Sequence, residues 1–275
     1  MLPDVQKREP EIKIPLTRAG VNSVRKMVRV KREDGKRNIV LLANFECYVD
    51  LPAFQKGTHM SRNIEAINEI IDEISGIAIY RIEDLCRDIV EEVLKRHSYA
   101  SYSEVNMESR LMVHSKSPQN NPQQNFITLI AKARAFREAG DIKVVAEVGA
   151  ESEGIILHYT GDKSVCTQRA KARLTVESHG KEEVRIEDIL EILESSLSAK
   201  TYSFLTEKEE AEVLYKACEA PKSARDVVNE ILEKSGKKFF FLPDNARISA
   251  SCRAKEPLFN FEVVDEKSAA IKELR

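Results

Sequence analysis

The chain has 275 residues, and its 43 Lys and Arg against 45 Asp and Glu leave a formal net charge of −2. That balance excludes a general basic field for nucleic acid. No apolar run approaches the ~20 residues of a membrane span and no signal-peptide pattern opens the chain, so the expectation is a soluble, cytoplasmic protein with ample core for one large domain or two modules.

Residues 1–11 are polar, carry Pro3 and Pro10, and suggest an arm that orders on contact. Residues 12–31 alternate apolar and basic positions and predict a first strand, and Asp34-Gly35 is a turn signal. From Ile39 to Val49 the alternation is strand-like, with Leu41, Ala43, Phe45, Cys47 and Val49 on one core-facing side. Asp50-Leu51-Pro52 closes this strand.

Gly57-Thr58-His59-Met60-Ser61-Arg62 follows and opens a helical pattern running to about Ile74. Ser61 reads as the N-cap, with Glu65 nearby as a capping-box-like acid. His59 and Arg62 therefore sit at a strand-to-helix turn, where side chains can face a ligand.

The next helix carries Ile82, Leu85, Cys86, Ile89 and Val93, one stripe at helical spacing. Residues 101–114 alternate as a strand, and 115–125 read as a polar loop with Pro118 and Pro122. Strands are predicted over 126–137 and 142–158, broken at Ala139-Gly140-Asp141.

In the second half, 170–177 reads as a strand, His179-Gly180 as a turn, and Ile186, Ile189, Leu190, Leu193 and Leu197 as a helical stripe. Further helices are predicted over 207–218 and 222–236, then strands over 246–253 and 258–264. The two stripe helices begin alike, Arg81-Ile82-Glu83-Asp84-Leu85 and Arg185-Ile186-Glu187-Asp188-Ile189. The strands around them repeat too. The reading is an α+β chain of two tandem ββααββ-like modules, 1–140 and 141–275, each an antiparallel sheet with helices on one face. The five cysteines (Cys47, Cys86, Cys166, Cys218 and Cys252) are scattered, odd in number and without CxxC spacing, which argues against a disulfide frame or zinc knuckle. His97, His114 and His179 carry no motif and read as structural or exposed.

Leu2-Pro3-Asp4-Val5-Gln6, Asp50-Leu51-Pro52 and Gly57-Thr58-His59-Met60-Ser61-Arg62 resemble the type IB and archaeal MptA-type GTP cyclohydrolases. The likeness continues through Arg185-Ile186-Glu187-Asp188, Tyr202-Ser203-Phe204-Leu205 and Arg225-Asp226-Val227-Val228. It implies the tunnelling fold, a homotetramer with active sites at subunit contacts, and a role in folate or methanopterin (pterin) biosynthesis. The implied reaction is hydrolytic opening of the guanine imidazole ring of GTP with loss of formate, using water on a divalent metal (Fe, Mn or Zn) held by a Cys, two His and a Glu.

This chain departs from that ligand set. Leu157-His158-Tyr159 stands where the family has Cys-Pro-Cys, and Cys166-Thr167-Gln168-Arg169 where it has His-Asn-Gln-Arg. Tyr215 replaces the helix Glu, and Glu256-Pro257-Leu258-Phe259-Asn260-Phe261 replaces Glu-Ser-Ile-His-x-His. Cys166 and His158 remain as an incomplete metal pair. His59, Arg62, Gln168, Arg169 and Glu256 remain as the substrate-binding side, for GTP or a pterin. Lys116-Ser117-Pro118 resembles a loop that could touch a triphosphate. The alternative is a catalytically altered or inactive paralogue that binds a pterin or purine nucleotide, or that partners an intact cyclohydrolase.

Overall fold

Alternation in β2 (Ile39–Leu51) sets the first half of the fold. Leu41, Ala43, Phe45, Cys47 and Val49 are all buried, as their shared face requires. The computed structural model describes residues 11–31, 38–73, 81–160, 164–178 and 183–275. The expected arm, the Asp34-Gly35 and His179-Gly180 turns and the end of the first helix near Ile74 fall outside these residues.

The other strands are β1 (Leu16–Val30), β3 (Tyr102–Lys116), β4 (Pro122–Glu138), β5 (Asp141–Thr160), β6 (Ser164–Ser178), β7 (Ala199–Lys200), β8 (Arg247–Lys255) and β9 (Glu262–Ala270). Among the described residues, hydrogen bonding orders them β1-β2-β3-β4-β5-β6-β8-β9, with β7 on β5. The helices are α1 (Met60–Glu73), α2 (Ile82–Arg96), α3 (Ile186–Ser196), α4 (Glu207–Glu219) and α5 (Ala224–Lys238). The architecture is α+β. No helix among the described residues is long and apolar enough to cross a membrane.

The chain divides into two compact units. One is Met1–Ser109 with Ile130–Glu147, and the other is Arg110–Leu129 with Val148–Arg275. In the first, α1 packs on α2 and β1, and the α2 stripe Ile82, Leu85, Cys86, Ile89 and Val93 is buried. β1 runs so close to β2 that a Cβ on Gly20 would lie 2.0 Å from the Cys47 carbonyl oxygen, so only glycine fits there. In the second, α5 lies along β8, β9 and α3. The sequence-predicted helices α4 and α5 each begin with a full capping box, Thr206 with Glu209 and Ser223 with Asp226, which satisfies two amide donors at each N-terminus.

Three expectations are corrected. Helix α1 begins at Met60, so Ser61 is inside its first turn and is not the N-cap. The polar loop over 115–125 shrinks to a tight turn over 117–121. There Ser117 and Asn121 pair through the backbone at 2.9 Å, and Asn120 takes a φ of 65°, which asparagine tolerates. The last strand begins at Glu262 rather than 258, because Leu258, Phe259 and Phe261 form an exposed bend closed by Glu256 N–H donating to the Phe261 carbonyl at 3.2 Å.

Candidate functional site

Between β2 and α1 the Gly57–Arg62 turn is closed by local backbone bonds. The Met60 amide donates to the Thr58 carbonyl at 3.0 Å and the Arg62 amide to the His59 carbonyl at 2.9 Å. Arg62 is half-buried, and one guanidinium nitrogen donates to the Arg96 carbonyl at 3.0 Å, at the C-terminal end of α2. A cation there complements the negative end of the helix dipole. The His59 imidazole is half-buried and, among the described residues, has no hydrogen-bond partner. It is free to meet a ligand.

Beneath this turn lie residues to which sequence reasoning assigns no site role, among them His97, read there as structural or exposed. Thr58, Asn63 and His97 are all buried. His97 Nε2 lies 2.6 Å from Asn63 Oδ1, and Nδ1 lies 2.8 Å from the Tyr99 hydroxyl. Burial, with the nearby charges of Arg62 and His59, pushes the His97 pKa down to about 4. The only signal in the sequence was a histidine at the end of an amphipathic helix with a tyrosine two residues on, a pattern too common to single out.

In the second unit, β6 and β8 pair antiparallel with Arg169 opposite Lys255, which brings the start of one strand beside the end of the other. Buried Gln168 donates from Nε2 to Glu256 Oε1 at 2.5 Å. Among the described residues the second Glu256 oxygen has no partner. Arg169 follows Gln168 on the strand and is exposed, so the two side chains leave opposite faces of β6. Its guanidinium has no partner among the described residues. Gln168 and Glu256 are therefore brought together in the second unit, and His59 and Arg62 lie on one turn of the first.

Lys116 is exposed. Its neighbour Ser117 donates to the Glu209 carboxylate, which also accepts from the Thr206 amide at 3.0 Å, the Thr206 hydroxyl at 2.9 Å, Asn121 Nδ2 at 3.2 Å and the Gln119 amide at 3.3 Å. Hydrogen bonding, from Ser117 above all, holds the Glu209 pKa down at about 2. The 117–121 turn is thereby fixed to the start of α4.

A catalytic divalent metal takes at least three protein donors. The positions that the resemblance aligns with its ligands carry half-buried Cys166 on β6, Tyr215 on α4 at 67% exposure, and Phe259 and Phe261 at 59% and 55%. The two phenylalanine rings stack at 5.3 Å between centroids, and they offer no donor atom. His158 falls on β5, with its side chain outside the described part. Cys166 and His158 together make two donors, and this set does not fit the metal.

The model of the family described as Type I GTP cyclohydrolase folE2 matches residues 2–264. GTP cyclohydrolase MptA of Methanococcoides burtonii is 33% identical over 304 aligned positions, covering 99% of this chain and 96% of that protein. GTP cyclohydrolase MptA 1 of Methanocella arvoryzae is 32% identical, covering 100% and 95%. Among solved structures, a uricase from Bacillus fastidious superposes with a TM-score of 0.51 at 10% identity, covering 96% of each chain, which identifies the tunnelling fold and nothing finer. With its tunnelling fold and a match that runs almost from end to end, the chain belongs to the type I GTP cyclohydrolase (folE2) family.

Proposed function

We propose that the chain takes GTP as its ligand and that Glu256 reads the guanine edge. The observation that supports this is the Gln168–Glu256 pair. The amide holds one carboxylate oxygen at 2.5 Å and leaves the other to accept from the adjacent N–H groups of a purine. Arg169, which leaves the other face of β6, is assigned to substrate contact by residue type alone, since a guanidinium fork matches phosphate oxygens. His59 and Arg62 are assigned to substrate contact as well.

The GTP cyclohydrolase family is generally metal-dependent, and the resemblance implies hydrolytic ring opening of GTP with release of formate in pterin biosynthesis. On this reading the chain serves that pathway, with Cys166 and His158 as what remains of the metal ligands. A second reading, which the comparisons do not favour, rests on Phe259, Phe261 and Tyr215. These replace donors, and the chain would then bind GTP or a pterin without opening the ring, alone or beside an intact paralogue.

We also assign a homotetramer, built from two tandem modules per chain joined near residue 140. The exposed apolar side chains Met27, Val40 and Leu42 on β1 and β2 support burial in an oligomer.

The deciding experiment is formate release from GTP by protein prepared without oxygen and supplied in turn with Fe²⁺, Mn²⁺ and Zn²⁺. Turnover abolished by chelator and by Cys166→Ala establishes the cyclohydrolase reading. Tight GTP binding without formate under any metal establishes the second.

A further inference from the structure

A line of hydrogen bonds runs beneath the turn that carries His59 and Arg62 and joins it to the end of α2. Asn63 Nδ2 lies 3.3 Å from the Cys47 carbonyl, which can only accept, so the amide presents its oxygen to His97. His97 Nε2, 2.6 Å from that oxygen, must carry the ring proton. Nδ1 lies 2.8 Å from the Tyr99 hydroxyl. The Tyr99 hydroxyl donates to Thr58 Oγ1 at 3.3 Å. The line therefore joins Thr58 through Tyr99, His97 and Asn63 to β2.

Asn63 and His97 tie the line to two helices of the first unit. Asn63 stands on α1, His97 ends α2, and the Arg96 carbonyl one residue earlier holds Arg62 at 3.0 Å. The end of α2 thus grips the turn at two points, through Arg62 directly and through Tyr99 to Thr58. Thr58 is adjacent to His59, so its hydroxyl sets the backbone from which the imidazole projects.

We propose that His97 and Tyr99 are positioning residues, which orient the Thr58–Arg62 turn and thereby aim His59 at its ligand. The inference rests on the assignment of His59 to substrate contact made above.

The test uses near-isosteric variants. GTP affinity by titration calorimetry, Tm, and the rate of tryptic cleavage after exposed Lys56 are compared for wild type, Tyr99→Phe, Thr58→Val, Thr58→Ser, His59→Ala and the Tyr99→Phe/His59→Ala double variant. One hydrogen bond's worth of misplacement predicts GTP binding weakened by about tenfold in Tyr99→Phe and Thr58→Val. Thr58→Ser, which keeps the hydroxyl, should bind as wild type. Tyr99→Phe should add nothing once His59 is removed, and cleavage after Lys56 should quicken several-fold in Thr58→Val alone of the Thr58 pair. Wild-type affinity and cleavage in Tyr99→Phe and Thr58→Val overturn the proposal, as does a full additive loss in the double variant. If wild type does not bind GTP, or His59→Ala binds unchanged, the substrate assignment has failed instead. The cleavage rates then decide whether the line holds the turn: equal rates in Thr58→Val and Thr58→Ser overturn that too.

Discussion

Glu209, in the first turn of α4, accepts a hydrogen bond from Ser117, 92 residues earlier, and so ties the β3–β4 turn to that helix. The carboxylate serves at once as the acid of the Thr206 capping box and as anchor for Gln119 and Asn121. Its pKa in the folded chain, about 2, lies below the ordinary 4.5. The unfolded chain therefore binds the proton first as pH falls, so the stabilisation is complete above about pH 4.5 and lost toward pH 2. Glu209→Gln should lower Tm by several degrees at neutral pH and flatten the acid limb. Urea unfolding from pH 2 to 7 checks both, and an unchanged acid limb contradicts the assignment.

His97 gives a second acid dependence in a different window. Its folded pKa of about 4 lies below the ordinary 6.5, so its contribution is full above pH 6.5 and lost as pH falls through 4. His97→Ala leaves the Asn63 oxygen buried without its donor and opens a cavity, at a cost of about 2–4 kcal/mol. Chemical denaturation at pH 7 and 4.5 should show the wild-type advantage shrinking at the lower pH.

Glu256→Ala should weaken GTP binding by about 10- to 100-fold, the scale of a lost charge-assisted hydrogen-bond pair. Gln168→Ala should do less, since it removes only the group that orients the carboxylate. Calorimetric titration with GTP ranks the two. Equal affinities for wild type and Glu256→Ala would place the guanine edge elsewhere.

Gly20→Ala should destabilise by about 1–3 kcal/mol, because the new methyl overlaps the Cys47 carbonyl and the edge strand must move outward. Thermal unfolding measures it. Gly140→Ala, with open space around its Cβ position but a φ of 96°, should cost only backbone strain and so separate the two effects.

Much of the fold was legible because it is written in local period. The β2 alternation and the α2 stripe need no partner to be read, and the Ala139-Gly140 turn takes the positive φ angles that such a break suggests. The tail misled for a physical reason. Phe259 and Phe261 mimic a strand's alternation, yet both face solvent in a bend that a single backbone bond closes. The substrate-side residues were visible one at a time, but the Gln168–Glu256 contact depends on the β6–β8 register, which no local pattern encodes. Likewise Thr58, Asn63, His97 and Tyr99 are unremarkable until α1 and α2 are laid together.

The five thiols divide by depth, and this decides how the protein ages in air. Burial pushes Cys47 and Cys252 up to about 12 and raises Cys86 as well, so these three hold almost no reactive thiolate at neutral pH. Cys166 and Cys218 are only half-buried. Oxidant therefore reaches the candidate site residue on β6 and the thiol on α4 while the core thiols stay reduced. An aged preparation would keep its spectrum, its Tm and its size yet carry a sulfenic or sulfinic acid at Cys166, so intact folding is no certificate of an intact site.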